Sequence, residues 1–109
     1  MAKIKVTRSS GNVFADLGLP DVEELDVKAE LAIKVAEVIR KRGLTQTIVA
    51  QMTGISQPDI SRLLRGRLKD FSSDRLIQAL RNLEAGVEII VEMDGKPVGR
   101  TIHLDPLAA

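Results

Sequence analysis

The sequence predicts a mainly α domain closed by a C-terminal β-hairpin. Three observations carry this. From Pro20 to Leu83, apolar residues recur at spacings of three and four in four runs, the period of a helix face. Glycines, prolines and Ser/Thr residues fall between the runs, where helices stop and start. After Gly86 the period drops to two, and Asp94-Gly95 divides the alternating stretch as a tight turn does.

Size and composition narrow the possibilities. A chain of 109 residues that is 44% hydrophobic makes one domain with a modest core, with or without an appended tail. It has no Trp or Tyr and only two Phe, so that core must be aliphatic. The absence of Cys excludes a disulfide scaffold, a thiol nucleophile and a Cys-ligated zinc finger. One His makes neither a multi-His metal site nor a triad beside another His. No acid/base carboxylate pair stands out, so neither an enzyme nor a cofactor or metal is expected. No run of about 20 apolar residues exists to span a membrane. Lys3, Lys5 and Arg8 are not followed by an apolar signal segment, so a cytoplasmic location is expected.

Taken in order, Ile4 and Val6 alternate with lysines, which fits a short edge strand or a disordered arm. Ser9-Ser10-Gly11-Asn12 is a loop, and Val13, Phe14 and Leu17 make a single apolar turn ending at Gly18. A long helix is expected from Pro20 to Arg42. Its face is Leu25, Ala29, Ala32, Ala36 and Ile39, widened by Leu31, Val35 and Val38, and its Ala stripe permits close packing. Arg40, Lys41 and Arg42 suit its negative end, and Gly43 terminates it.

A second helix starts at the cap Thr45 and runs to Thr53, with Val49 and Ala50 inward. Gly54 permits a sharp left-handed turn, and Ile55 plugs the core. Ser56 caps the third helix in a capping-box-like pair with Asp59, and Pro58 is tolerated in its first turn. Ile60, Leu63 and Leu64 form its apolar face before Gly66. After a loop, Ser72 caps a fourth helix to Leu83, with Leu76, Ile77, Leu80 and Leu83 inward and Gly86 as its stop. Val87, Ile89, Val91 and Met93 then alternate with Glu88, Ile90 and Glu92, and beyond the turn Val98, Arg100, Ile102 and Leu104 alternate again. Pro97 confines the second strand to an edge. A lone hairpin is barely stable, so it must cover its own core or pair with a second subunit. Those surfaces give Val87, Ile89, Val91, Val98 and Ile102 as candidate dimerisation residues.

Net charge is only +1, but its distribution is polarised. Between Asp16 and Glu30 six acids oppose Lys28, a balance of −5. Dipole complementarity at a helix start accounts for them more simply than a binding role. Between Arg40 and Lys69 seven bases oppose Asp59, a balance of +6. Such a block is either a solvated face or a surface for a polyanion.

The pair of helices inside this block has the layout of a helix-turn-helix, whose second helix enters the major groove while the first crosses the backbone. Gln57 starts that second helix, and Gln bonds adenine in a bidentate way, its amide N–H donating to N7 and its oxygen accepting from the N6 amino group. Arg62 reaches guanine or phosphate, with Ser61 beside it. Thr45 and Gln46 sit at the first helix's N-terminus, where a phosphate is bound by N–H groups. Arg65, Arg67 and Lys69 follow the reading helix along the backbone.

Leu44-Thr45-Gln46, Ala50, Gly54-Ile55-Ser56-Gln57, Ile60-Ser61-Arg62-Leu63 and Arg65-Gly66 resemble the motif of the Xre (phage-repressor-like) helix-turn-helix family. Ser9 to Leu19 with the acidic helix after it, and Leu64 to Leu68 with Asp70-Phe71-Ser72, resemble a subgroup, the HigA-type antitoxins. The resemblance implies a lambda-repressor-like bundle of four to five helices. It implies homodimeric binding to a palindromic operator in double-stranded DNA, repression of its own operon, and neutralisation of a small RelE-like toxin. By motif position it implies base contacts at Gln46, Gln57, Pro58, Ser61 and Arg62, and backbone contacts at Thr45 and Arg65. Two residues depart from the family pattern. Thr53 replaces Leu or Val, and its hydroxyl needs a partner such as the Val49 carbonyl. Pro58 offers only apolar contact.

The expected organisation is an arm with a short helical turn (1–19), a helix-turn-helix domain (20–86), and a hairpin with its tail (87–109). The alternative function is a protein-interaction module whose helix-turn-helix is scaffold. RNA binding is disfavoured, because the chain lacks aromatics for base stacking.

Overall fold

The computed structural model describes residues 3–9 and 22–107. The expected turn at Val13, Phe14 and Leu17, and the helix start at Pro20, lie outside the described residues. The elements are β1 (Lys3–Ser9), α1 (Val22–Arg42), α2 (Gln46–Thr53), α3 (Gln57–Leu64), α4 (Ser73–Asn82), β2 (Gly86–Met93), β3 (Lys96–Pro97) and β4 (Ile102–Leu104). The architecture is mainly helical with a small C-terminal hairpin, as the periodicities require.

Local chemistry sets the helix boundaries. Thr45 Oγ1 accepts from Ile48 N (3.2 Å), Ser56 Oγ from Asp59 N (3.3 Å) and Ser72 Oγ from Arg75 N (3.1 Å), so all three expected caps form. α1 ends with Gly43 N donating to Arg40 O and Leu44 N to Ile39 O, which places Gly43 in the left-handed position (φ +63). The end of α4 differs from expectation. Ala85 N donates to Leu80 O and Glu84 N to Arg81 O, so the left-handed residue is Glu84 (φ +66), not Gly86, which is already the first residue of β2. Arg42 steadies this strained residue: Nη1 reaches Glu84 Oε2 and Nη2 donates to Glu84 O, both at 3.3 Å.

The core gathers around α4. Leu76, Ala79, Leu80 and Leu83 are buried against Leu31, Val35 and Val38 of α1, Val49, Ile55, Ile60 and Leu63. Phe71 and Leu68 close one side, and Ala85 and Val87 lead into the sheet. The stripe on α1 is thus weighted differently from the expectation. Leu31, Val35 and Val38 bring more apolar area than the alanines, so they take the deepest positions. The Ala stripe does not produce close packing throughout. Ala29, Ala32 and Ala36 line a half-open apolar groove of about 280 Å³ with Leu63, Leu64 and Leu68.

The sheet joins the two ends of the described chain. β1 pairs with β2 in parallel, from Lys3 opposite Gly86 to Ser9 opposite Glu92, so the N-terminal stretch is an edge strand. β2 turns back through Asp94 (φ +54) and Gly95 (φ +76), two left-handed residues as a type I′ turn requires. The return strand is interrupted. β3 pairs with Glu92 and Met93, β4 with Val87 to Ile89, and the four residues 98–101 stand opposite only Ile90 and Val91. Gly99 (φ +69) lies in this bulge.

Candidate nucleic-acid interface

The site is built on the α2–turn–α3 unit. Thr53 is what makes that turn rigid. Its Oγ1 donates to Val49 O at 2.7 Å and accepts from Ile55 N at 3.2 Å, so one hydroxyl ties the end of α2 to the turn. Gly54 takes φ +74, and Ile55 is buried. α3 ends as Arg67 N donates to Arg62 O and Gly66 N to Leu63 O. Ile60 and Leu63 fix the inner face, at 0% and 2% exposure.

Burying that face dictates what lies on the other. At about 100° per residue, Gln57, Pro58, Ser61, Arg62 and Arg65 span an arc of roughly 140° opposite Ile60 and Leu63. All are exposed except Ser61, which is half-buried. Gln46 and Thr45 are exposed at the start of α2, although the Thr45 hydroxyl already serves as a cap. Arg67 and Lys69 are exposed just beyond α3. The fold therefore brings Gln57, Pro58, Ser61 and Arg62 onto one face of α3 together with Arg65, whereas Gln46 and Thr45 stand at the start of α2 and Arg67 and Lys69 beyond α3.

Three contacts were not anticipated. Arg62 is paired: its Nη1 donates to Asp59 Oδ1 at 2.6 Å. Asp59 Oδ2 also lies 3.8 Å from Arg75 Nη2, across the gap to α4. The Asp59–Arg62 spacing was a legible i, i+3 signal. Arg75 carried none, since its proximity is purely tertiary. Arg65 folds back as well, its Nε donating to Ser61 O at 3.3 Å.

The expected dimerisation set divides in two. Val87 is 1% exposed and Ile89 packs partly on the same core, so both serve this subunit's own interior. Val91, Val98 and Ile102 are 44–50% exposed, with Met93 further out still. His103 sits on the opposite face of the hairpin, its Nδ1 3.2 Å from Glu88 Oε1.

A family model described as a helix-turn-helix domain matches residues 13–92. The chain belongs to this helix-turn-helix family. A solved structure that carries the name XRE family transcriptional regulator is 34% identical, with a TM-score of 0.65 over 83% of this chain and 100% of its own. No curated protein matches. The helix-turn-helix protein is accordingly of the Xre type. Its family is a non-enzymatic one that binds DNA in transcriptional regulation. Among the described residues, no helix is long and apolar enough to cross a membrane.

Proposed function

We propose that this helix-turn-helix protein is a sequence-specific repressor that binds a palindromic operator as a homodimer and occludes a promoter. The observation that carries the reading is the outer face of α3. Gln57, Pro58, Ser61 and Arg62 converge there with Arg65, and folding a bundle does not need them. Two copies of so short a helix, on half-sites about 34 Å or a multiple apart, give specific binding. Support for the second copy comes from Val91, Val98 and Ile102, which continue the apolar face of Val87 past the edge of the core. The sequence resemblance to HigA-type antitoxins extends the proposal. The operon would be its own, and the partner a small RelE-like toxin in the cytoplasm.

The test is binding to duplexes selected by the protein from a random-sequence library. Arg62→Ala is expected to relax base preference and cost roughly 1–3 kcal/mol. Lys69→Ala is expected to weaken all duplexes alike and to flatten the salt dependence. If Arg62→Ala leaves affinity and preference unchanged, α3 is not the reading helix. The alternative, a partner-binding module without readout, is favoured by one observation: Arg62 is already occupied by Asp59. Such a module would show no salt-dependent retention on duplex DNA.

A further inference from the structure

We infer that Asp59 is a specificity-determining positioning residue: it buttresses Arg62 from behind and leaves one edge of the guanidinium presented for guanine. The inference rests on the DNA-reading role of α3.

The geometry is a relay of three side chains. Arg75 is anchored first. Its Nη1 donates to Asp70 O at 3.2 Å, and its guanidinium lies 4.7 Å over the centroid of the buried Phe71 ring. Asp59 is held next, with Oδ2 3.8 Å from Arg75 Nη2 and its own backbone N capped by Ser56 Oγ. Its side chain is 28% exposed, the least of the three. Arg62 comes last. It is 49% exposed, and among the described residues its guanidinium touches only Asp59, through Nη1.

A guanidinium has five donors in a rigid plane. Engaging Nη1 leaves Nε–H and one N–H of Nη2, which point the same way along the opposite edge. Those two parallel donors match the N7 and O6 acceptors of guanine. The carboxylate also acts against the wrong ligand. A phosphate that draws Arg62 away leaves Asp59 facing a polyanion with half its charge partner gone. Guanine takes the free edge and leaves the Asp59 pair in place. One carboxylate thus favours base contact and disfavours phosphate-only binding, which is how specificity is gained by penalising the competitor.

Asp59→Asn keeps the shape and the Ser56 cap while removing the charge. The probes are the duplex that the wild-type protein selects from a random library, and poly(dI–dC) as non-specific DNA. Asp59→Asn is expected to bind poly(dI–dC) several-fold more tightly, with a steeper salt dependence. It is expected to bind the selected duplex no better, so the specificity ratio falls about tenfold. In an Arg62→Ala background the same substitution is expected to leave base preference unchanged, because Asp59 acts through Arg62. Arg75→Gln, which loosens the anchor, is expected to lower the ratio in the same direction by a smaller factor. Thermal melts of each variant separate these effects from unfolding.

If the folded Asp59→Asn protein keeps the wild-type ratio, or changes base preference without Arg62, the buttress is overturned while DNA reading stands. If the wild-type protein shows no salt-dependent binding to either probe, the DNA-reading role itself fails.

Discussion

Thr53→Val tests how the turn of the helix-turn-helix is held. The two side chains are nearly the same shape, so the substitution exchanges a hydroxyl for a methyl and little else. Thr53 Oγ1 makes two bonds, one to Val49 O and one from Ile55 N. The Val49 carbonyl has a second lone pair that the helix ladder uses, so it loses less. Ile55 is 5% exposed, and Thr53 Oγ1 is the partner of its N–H among the described residues. Leaving such a donor without a partner costs about 1–3 kcal/mol. The added methyl returns at most about 0.8 kcal/mol, and less at a half-buried position. The net loss is about 1–2 kcal/mol, or a fall in Tm of roughly 5–10 °C for a domain of this size. Thr53→Ser keeps both bonds and loses only the methyl, so it costs under about 0.8 kcal/mol. Thermal melts followed by circular dichroism therefore give the order wild type, Ser, Val. A valine variant at least as stable as the serine variant would refute the reasoning, since ordinary apolar packing predicts that order.

The end of α4 and the two parts of the hairpin give three further expectations. Glu84→Gly relieves a left-handed residue, worth roughly 1–2 kcal/mol, and loses an exposed ion pair worth under about 1 kcal/mol. It raises Tm slightly, whereas Glu84→Ala lowers it. Val98→Asp and Ile102→Asp place charges on the distal hairpin and are expected to yield folded monomers with weakened operator binding. Sedimentation velocity checks this, and a wild-type protein that is monomeric at micromolar concentration removes the hairpin from the dimer reading. Val87→Asp, by contrast, buries a charge in the core and is expected to unfold the domain, seen as loss of the cooperative melt.

What was legible in the sequence is what is local. The caps Thr45, Ser56 and Ser72, the turn at Gly54 and the Thr53 hydroxyl on Val49 O all involve residues within four positions of each other. Side chains at such spacings meet whenever the helix forms. The outer face of α3 was legible for the same reason, because fixing Ile60 and Leu63 inward fixes its opposite. Two local contacts, Asp59–Arg62 and Ser61–Arg65, were legible by spacing and went unread, and the other contacts that escaped notice span long separations. Arg75 approaches Asp59 only after α4 has packed, and Arg42 reaches Glu84 only after both helices end at one side of the core. The parallel pairing of β1 with β2 leaves no mark in the local pattern of Lys3–Ser9, which therefore fitted either an arm or a strand. On α1 the period was read correctly, but two overlapping stripes shared it. Side-chain size decided between them, and periodicity carries no information about size.

The division of the hairpin bears on how two reading helices would be set at a fixed spacing. A dimer surface carried on a loosely attached hairpin would let the half-site distance drift. Here β2 begins inside the core, where Val87 is buried in the same cluster as Leu80 and Leu83, and α4 packs on β2. The same helix α4 carries Arg75, which meets Asp59 on α3, and Asp59 meets Arg62. A continuous run of packed and paired side chains thus leads from the exposed tip at Val91 and Val98 to the guanidinium offered for a base. The root of the hairpin is the stiff link in that run. In the proposed dimer, this buried root would hold the reading helix at a set distance from a second copy, while the exposed residues beyond Ile89 and Ile102 would supply the contact. The strand continues through Met93 and holds its apolar face in register through a bulge of two extra residues, which preserves the alternation of sides.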